Sequence, residues 1–144
     1  MNSRAAGAPL FLDTGFVIAL LSPRDHFHPQ AQALAAELKA SPRNIVTTDA
    51  VIFEIGAALA KAAWRSTASR FIDALREDSN VEIVSAEPPL VRDALDLFRS
   101  RSDKDWSLAD CLSFVIMSRR GITRALAADD HFRQAGFIPL LLVE

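Results

Sequence analysis

Short apolar runs, each followed by a stretch with helical spacing, restrict this chain to a narrow set of folds. Leu10-Phe11-Leu12, Asn44 to Thr47, the alternating Val81 to Val84, and Arg124 to Ala128 have the length and character of strands. Leu34 and Leu38 stand one turn apart in the alanine-rich Pro29–Ala40 segment. Leu90, Val91, Ala94, Leu95 and Phe98 make a stripe opposite the charged Arg92, Asp93, Asp96 and Arg99. Strands alternating with helices imply a mostly parallel sheet covered on both faces, a three-layer α/β/α arrangement.

Helix boundaries are marked by capping chemistry. Thr47 or Thr48 is a suitable cap for a long alanine-rich helix running to about Trp64, and Ser66 for a further helix with Phe71, Ile72 and Leu75 on one face. Pro88 and Pro89 suit a first helical turn. Ser107 is a natural N-cap for the run from Cys111 to Met117, which Arg119-Arg120-Gly121 terminates. Phe137 to Val143 reads as a last edge strand that must accommodate Pro139. Residues 1–8 read as a flexible lead-in and 9–144 as one domain, since 144 residues, half of them apolar, suffice for one sizeable core and not for two.

The chemistry lies in carboxylates placed among apolar residues, because a buried unpaired charge needs a cation, a donor or a proton. Asp13 interrupts the apolar Leu10–Leu21 stretch, Glu54 is the only charge between Ala50 and Ala60, Asp110 opens an apolar run, and Asp129 follows Ala125 to Ala128. Taken singly, Asp13 and Asp129 suit helix caps, and Asp110 the third position of a capping box. Glu54 has no such explanation, since Ala50, Val51, Ala57 and Ala58 leave it no cationic neighbour one turn away. Asp13 and Asp129 follow strands, at the edge where ligands of parallel sheets bind.

One remedy serves all four groups: a hard divalent cation held by oxygen, Mg²⁺ or Mn²⁺. Such an ion can polarise a phosphodiester and lower the pKa of a bound water for in-line attack. His26, His28 and His131 show no zinc-ligand spacing. On a helix continuing to Trp64, Lys61 and Arg65 would return to within about 20° of the Glu54 face, where they could guide RNA. Trp64 and Trp106 read as packing or interface anchors rather than base platforms.

Composition excludes little else. A net charge of −2 supplies no general basic field, so any grip on nucleic acid must be local. The single cysteine, Cys111, cannot form an internal disulfide and fits a reducing compartment. The apolar stretch from Pro9 to Leu21 carries Asp13 and falls short of the roughly 20 residues of a membrane span. The expectation is a cytoplasmic protein without a membrane partner.

Several motifs now combine. Leu12-Asp13-Thr14-Gly15, Glu54 in the second βα unit, Asp105-Trp106-Ser107-Leu108-Ala109-Asp110-Cys111, and Ala128-Asp129-Asp130-His131-Phe132 followed by Ala135-Gly136-Phe137 resemble the motifs of PIN-domain ribonucleases, in particular the VapC-type toxins of toxin–antitoxin pairs. The resemblance covers nearly the whole chain from Leu10. It implies an α/β/α domain, Mg²⁺- or Mn²⁺-dependent endoribonuclease activity, a cognate antitoxin and a homodimer. Carried over, Asp13 and Asp110 lead the metal ligands, Glu54 and Asp129 complete the cluster, and Thr14 orients Asp13 or a bound water. Family members commonly have Thr or Ser two residues before the last acid; here Ala127 stands there, and that hydroxyl contact is missing. Asp105 and Asp130 read as loop and capping residues. Two alternatives remain: a haloacid-dehalogenase-type phosphohydrolase, which needs a second carboxylate where this chain has Gly15, and a non-catalytic PIN module that binds RNA or protein.

Overall fold

The computed structural model describes residues 6–143. The expected lead-in, residues 1–8, falls partly on residues 1–5, which lie outside the described residues. Ala8 is tied down: its carbonyl accepts from the Arg43 guanidinium, with Nε at 2.7 Å.

The elements in chain order are β1 (Leu10–Leu12), α1 (Thr14–Leu21), α2 (His28–Ala40), β2 (Ile45–Thr48), α3 (Asp49–Ala58), α4 (Ala62–Glu77), β3 (Val81–Val84), α5 (Pro88–Ser100), α6 (Leu108–Arg120), β4 (Arg124–Leu126), α7 (Asp130–Gln134) and β5 (Ile138–Pro139), followed by a 3₁₀ turn over Leu140–Leu142. The strands form one sheet in the order β3-β2-β1-β4-β5, and every pairing is parallel. β1 lies at the centre, paired through Phe11 with Val46 on one side and with Ala125 on the other. Its residues Leu10, Phe11 and Leu12 are all buried, which explains why the run is apolar without alternation.

Strand order reverses at β1. The chain steps from β1 through β2 to β3, then crosses back to β4 and β5. Right-handed crossovers therefore place α1–α4 on one face and α5–α7 on the other. The packing agrees: α1 lies against α2 and α3, α3 against α4, and α5 against α6. Phe114 of α6 meets Phe132 of α7 edge to face at 5.1 Å and Phe137 stacked at 5.6 Å, closing the core over Phe11.

The caps follow the chemistry of the sequence closely. Thr48 caps α3, its Oγ1 accepting from Val51 N at 3.1 Å. Thr47 instead donates to the Leu12 carbonyl at 2.8 Å. Pro88 and Pro89 open α5, and Gly121 ends α6 in the left-handed region at φ 65°. No helix among the described residues is long and apolar enough to cross a membrane.

Three expectations are corrected. The long helix to Trp64 is two helices, because the chain breaks at Leu59-Ala60-Lys61: Leu59 is the C-cap of α3, Lys61 becomes the extended N-cap of α4, and Arg65 Nη1 donates to the Ala60 carbonyl at 2.9 Å. Ser66 lies inside α4 and caps nothing. The last strand is only Ile138–Pro139, since Pro139 has no N–H to extend the ladder and Leu141 N turns back to the Ala127 carbonyl at 3.1 Å.

Candidate metal centre

The reversal of strand order between β1 and β4 leaves a crevice beyond their carboxyl ends, the usual ligand position of open parallel sheets. Asp13 follows β1 directly, and its backbone N–H continues the ladder by donating to Leu126 O at 3.0 Å. Asp129 lies just beyond β4. Asp110 arrives from the first turn of α6 and Glu54 from the middle of α3. Residues far apart in the chain thus converge on one edge.

Asp13 is buried, and although it occupies the N-cap position of α1 its side chain makes no capping bond. Its carboxyl is pushed up to about 7, first by burial and then by the charges of Asp110 and Glu54, against the opposing backbone N–H groups of Thr14 and Gly15. Glu54 is also raised, by burial first and Asp110 second, with the Thr14 hydroxyl opposing. The side chain of Glu54 is nevertheless on the exposed face of α3. Its isolation within an apolar segment therefore reflects a position at the rim rather than in the core. Phe53, immediately before it, is 77% exposed.

The capping interpretations of Asp110 and Asp129 hold alongside their place in the cluster. Asp110 and Ser107 form a complete capping box, Ser107 Oγ accepting from Asp110 N at 3.0 Å and Asp110 Oδ2 accepting from Ser107 N at 3.1 Å. Asp129 caps α7, its Oδ1 accepting from His131 N at 2.9 Å.

His131 is the member of the cluster that spacing missed. Its Nδ1 lies 3.0 Å from Asp110 Oδ2 and 3.3 Å from Asp129 Oδ2, and one donor atom from each of the three residues falls within 4.8 Å of the others. A search for zinc spacing passes over it because its partners are carboxylates, one of them twenty-one residues away. Its place two residues after Asp129, in the first turn of a helix, was the available clue.

The cluster fits a hard cation. Thr14 Oγ1 is buried without a well-formed hydrogen bond, beside the Asp13 carboxyl, pushed up to about 7, and the Glu54 carboxyl, also raised by burial and by Asp110. An oxygen-binding divalent ion would relieve all of these at once.

Other candidates lie elsewhere. Lys61 and Arg65 do not continue the Glu54 face, because the break between α3 and α4 removes the helical register that related them. Asp130 is exposed and 3.4 Å from Arg133 Nη1, and Asp105 is an exposed loop residue. Trp106 is packed: it donates from Nε1 to Gln134 Oε1 at 3.0 Å, meets Phe114 edge to face, and carries the Arg101 guanidinium 5.0 Å from its ring centre. Ala127 is fully buried.

With this geometry in place, comparison with known proteins is decisive. A family model for the PIN domain matches residues 10–138. The chain belongs to the PIN-domain family. The 23S rRNA-specific endonuclease VapC20 of Mycobacterium tuberculosis, in two strains, is 28% identical over 129 residues, covering 90% of this PIN domain and 95% of the relative. The crystal structure of that VapC20, described as a sarcin-ricin loop cleaving toxin, superposes with a TM-score of 0.80 at 27% identity, covering 90% of this chain and 97% of the other. The parallel five-stranded sheet between helical layers is the PIN fold, and the family resemblance carried by the motifs is borne out. PIN nucleases are metal-dependent hydrolases of phosphodiester bonds, so the haloacid-dehalogenase alternative falls away.

Proposed function

We propose that this PIN domain is the toxin of a toxin–antitoxin pair, an Mg²⁺- or Mn²⁺-dependent endoribonuclease in which Asp13, Asp110, Glu54 and Asp129 hold the ion. The observation that carries the reading is the state of Asp13: a carboxyl at the switch point of the sheet, raised to about 7 by burial and by two further acids from separate helices. That repulsion is relieved by a proton or by a cation, and a divalent ion can serve all of the acids at once.

A divalent ion held by these residues would supply charge to polarise a phosphodiester, to acidify a bound water and to offset a leaving oxygen. The protein's own groups do the positioning. The β1 ladder fixes the backbone at Asp13, while the capping box holds the Asp110 carboxylate and the α7 cap that of Asp129, so two carboxylates are oriented before any ligand arrives. Thr14 offers its free hydroxyl beside Asp13 and Glu54. Glu54 brings its carboxylate to the solvent side of the cluster. Phe53, exposed next to Glu54, gives an unpaired base a surface to stack on, a common mode of RNA-loop recognition.

The substrate class follows from the relative: VapC20 is named for 23S rRNA and for the sarcin-ricin loop, and a structured RNA loop is the substrate proposed for this chain. A cognate antitoxin, a homodimeric state and a cytoplasmic location complete the proposal. Buried Cys111, unable to form an internal disulfide, supports the last.

The test is to incubate the protein with an RNA carrying a sarcin-ricin loop, in Mg²⁺ or Mn²⁺, with and without EDTA, beside Asp13→Asn and Asp110→Asn. EDTA-sensitive cleavage lost in both variants is expected. Absence of cleavage on any RNA would favour the non-catalytic module, and cleavage surviving in both variants would overturn the site assignment.

A further inference from the structure

We infer that His131 is a positioning residue of the acidic centre: its ring N–H holds the Asp110 carboxylate and its backbone N–H the Asp129 carboxylate, so that they meet a cation as a preformed pair. The inference rests on the metal-centre reading above and adds a residue to it.

Contacts to His131 reach both acids. Its Nδ1 lies 3.0 Å from Asp110 Oδ2 and 3.3 Å from Asp129 Oδ2, while its backbone N–H donates to Asp129 Oδ1 at 2.9 Å. Two carboxylates brought this close repel each other, and two N–H donors of one residue, the ring toward Asp110 and the backbone toward Asp129, lower that repulsion and fix their orientation. Asp110 Oδ2 also accepts from Ser107 N at 3.1 Å, so this oxygen is held from its own helix and from the neighbouring one.

The ring is itself anchored. Phe132, the next residue, is fully buried and packs edge to face on Phe114, which stands one turn after Asp110 on α6. At the far end of α7, Gln134 Oε1 accepts from Trp106 Nε1. These two contacts between the α6 region and α7 seat the short helix and so set where Nδ1 lies. A five-residue helix has little stability alone. Docked in this way, it serves as a rigid mount for one donor. A hydrogen bond that orients a metal-binding carboxylate commonly sets metal affinity by 10- to 100-fold.

The experiment is calorimetric titration of Mg²⁺ and of Mn²⁺ into the RNA-free protein, for the wild type, His131→Ala, His131→Asn and Asp110→Asn, with metal-free melting curves for each. The Asn amide can place an N–H where Nδ1 stands. His131→Ala is expected to weaken both ions about 10-fold, and His131→Asn to restore affinity to within about threefold of the wild type. Unchanged binding in His131→Ala overturns the inference, as does a His131→Asn variant that binds as weakly as His131→Ala. A loss confined to Mn²⁺ and not rescued by Asn would instead make the imidazole a ligand. If His131→Ala does not fold, the Asn variant decides alone. A wild type that binds neither ion, or an Asp110→Asn variant that binds as well as it does, defeats the metal-centre reading itself, which is a different result.

Discussion

Thr47 donates its buried hydroxyl to the carbonyl of Leu12 at 2.8 Å, joining the carboxyl ends of β1 and β2 one residue before Asp13. Replacing it with the isosteric valine leaves that carbonyl without this donor. Thr47→Val is expected to destabilise the protein by about 1–3 kcal/mol and to weaken metal binding through Asp13. Urea unfolding and Mn²⁺ titration measure the two effects.

The elevated Asp13 carboxyl makes the metal-free protein sensitive to pH. An ordinary aspartate ionises near 3.8 and Asp13 near 7, so between these values the folded chain keeps a proton that the unfolded chain has lost. Stability is therefore whole below about pH 4 and declines as pH rises to 7. A shift of this size corresponds to about 4 kcal/mol. Asp13→Asn removes the decline: in EDTA its melting temperature should match the wild type near pH 4 and exceed it by about 5 °C or more at pH 8. A wild type that gains stability over this range relative to the variant contradicts the assignment. In the wild type, metal affinity should also weaken as pH falls through 7.

Phe53 packs little of its ring, being 77% exposed. Phe53→Ala is expected to change unfolding free energy by less than about 0.5 kcal/mol and to leave metal affinity alone. Cleavage of a loop RNA should show KM raised severalfold with kcat retained. Equal kinetics in the two proteins would remove Phe53 from the RNA-binding surface.

Much of this architecture was legible in the sequence because local chemistry and tertiary need coincide. β1 is apolar and buried throughout, Ser107 and Asp110 form the box their spacing announces, and Asp13 stands where strand gives way to helix. The break between α3 and α4 was hidden, since Leu59-Ala60-Lys61 contains no glycine or proline and favours helix on intrinsic propensity. The chain leaves the helix after Leu59 all the same, and with it goes the register that put Lys61 and Arg65 beside Glu54. The helix α7 and the role of His131 escaped for a related reason. Five residues carry too little periodicity to announce a helix, and the Asp110 partner lies on another element.

Trp106 tests the docking of that short helix. Trp106→Phe removes the bond to Gln134 and part of the surface beneath Arg101 while keeping an aromatic ring against Phe114. A loss of about 1–2 kcal/mol in global stability is expected. Hydrogen exchange should show the backbone amides of α7 losing protection before those of α6. Equal protection in wild type and variant would mean that Phe132 alone seats the helix.

The central position of β1 has a consequence for the order in which this protein comes into being. Emerging from the ribosome, the chain can pair β1 with β2 and β2 with β3, yet the other edge of β1 stays open until β4 is made, more than a hundred residues later. Asp13 is translated early and waits for Asp110, Asp129 and His131. Until β4 and α7 have emerged, a nascent chain thus carries Asp13 and Glu54 without Asp129 and His131, and its acidic centre is incomplete.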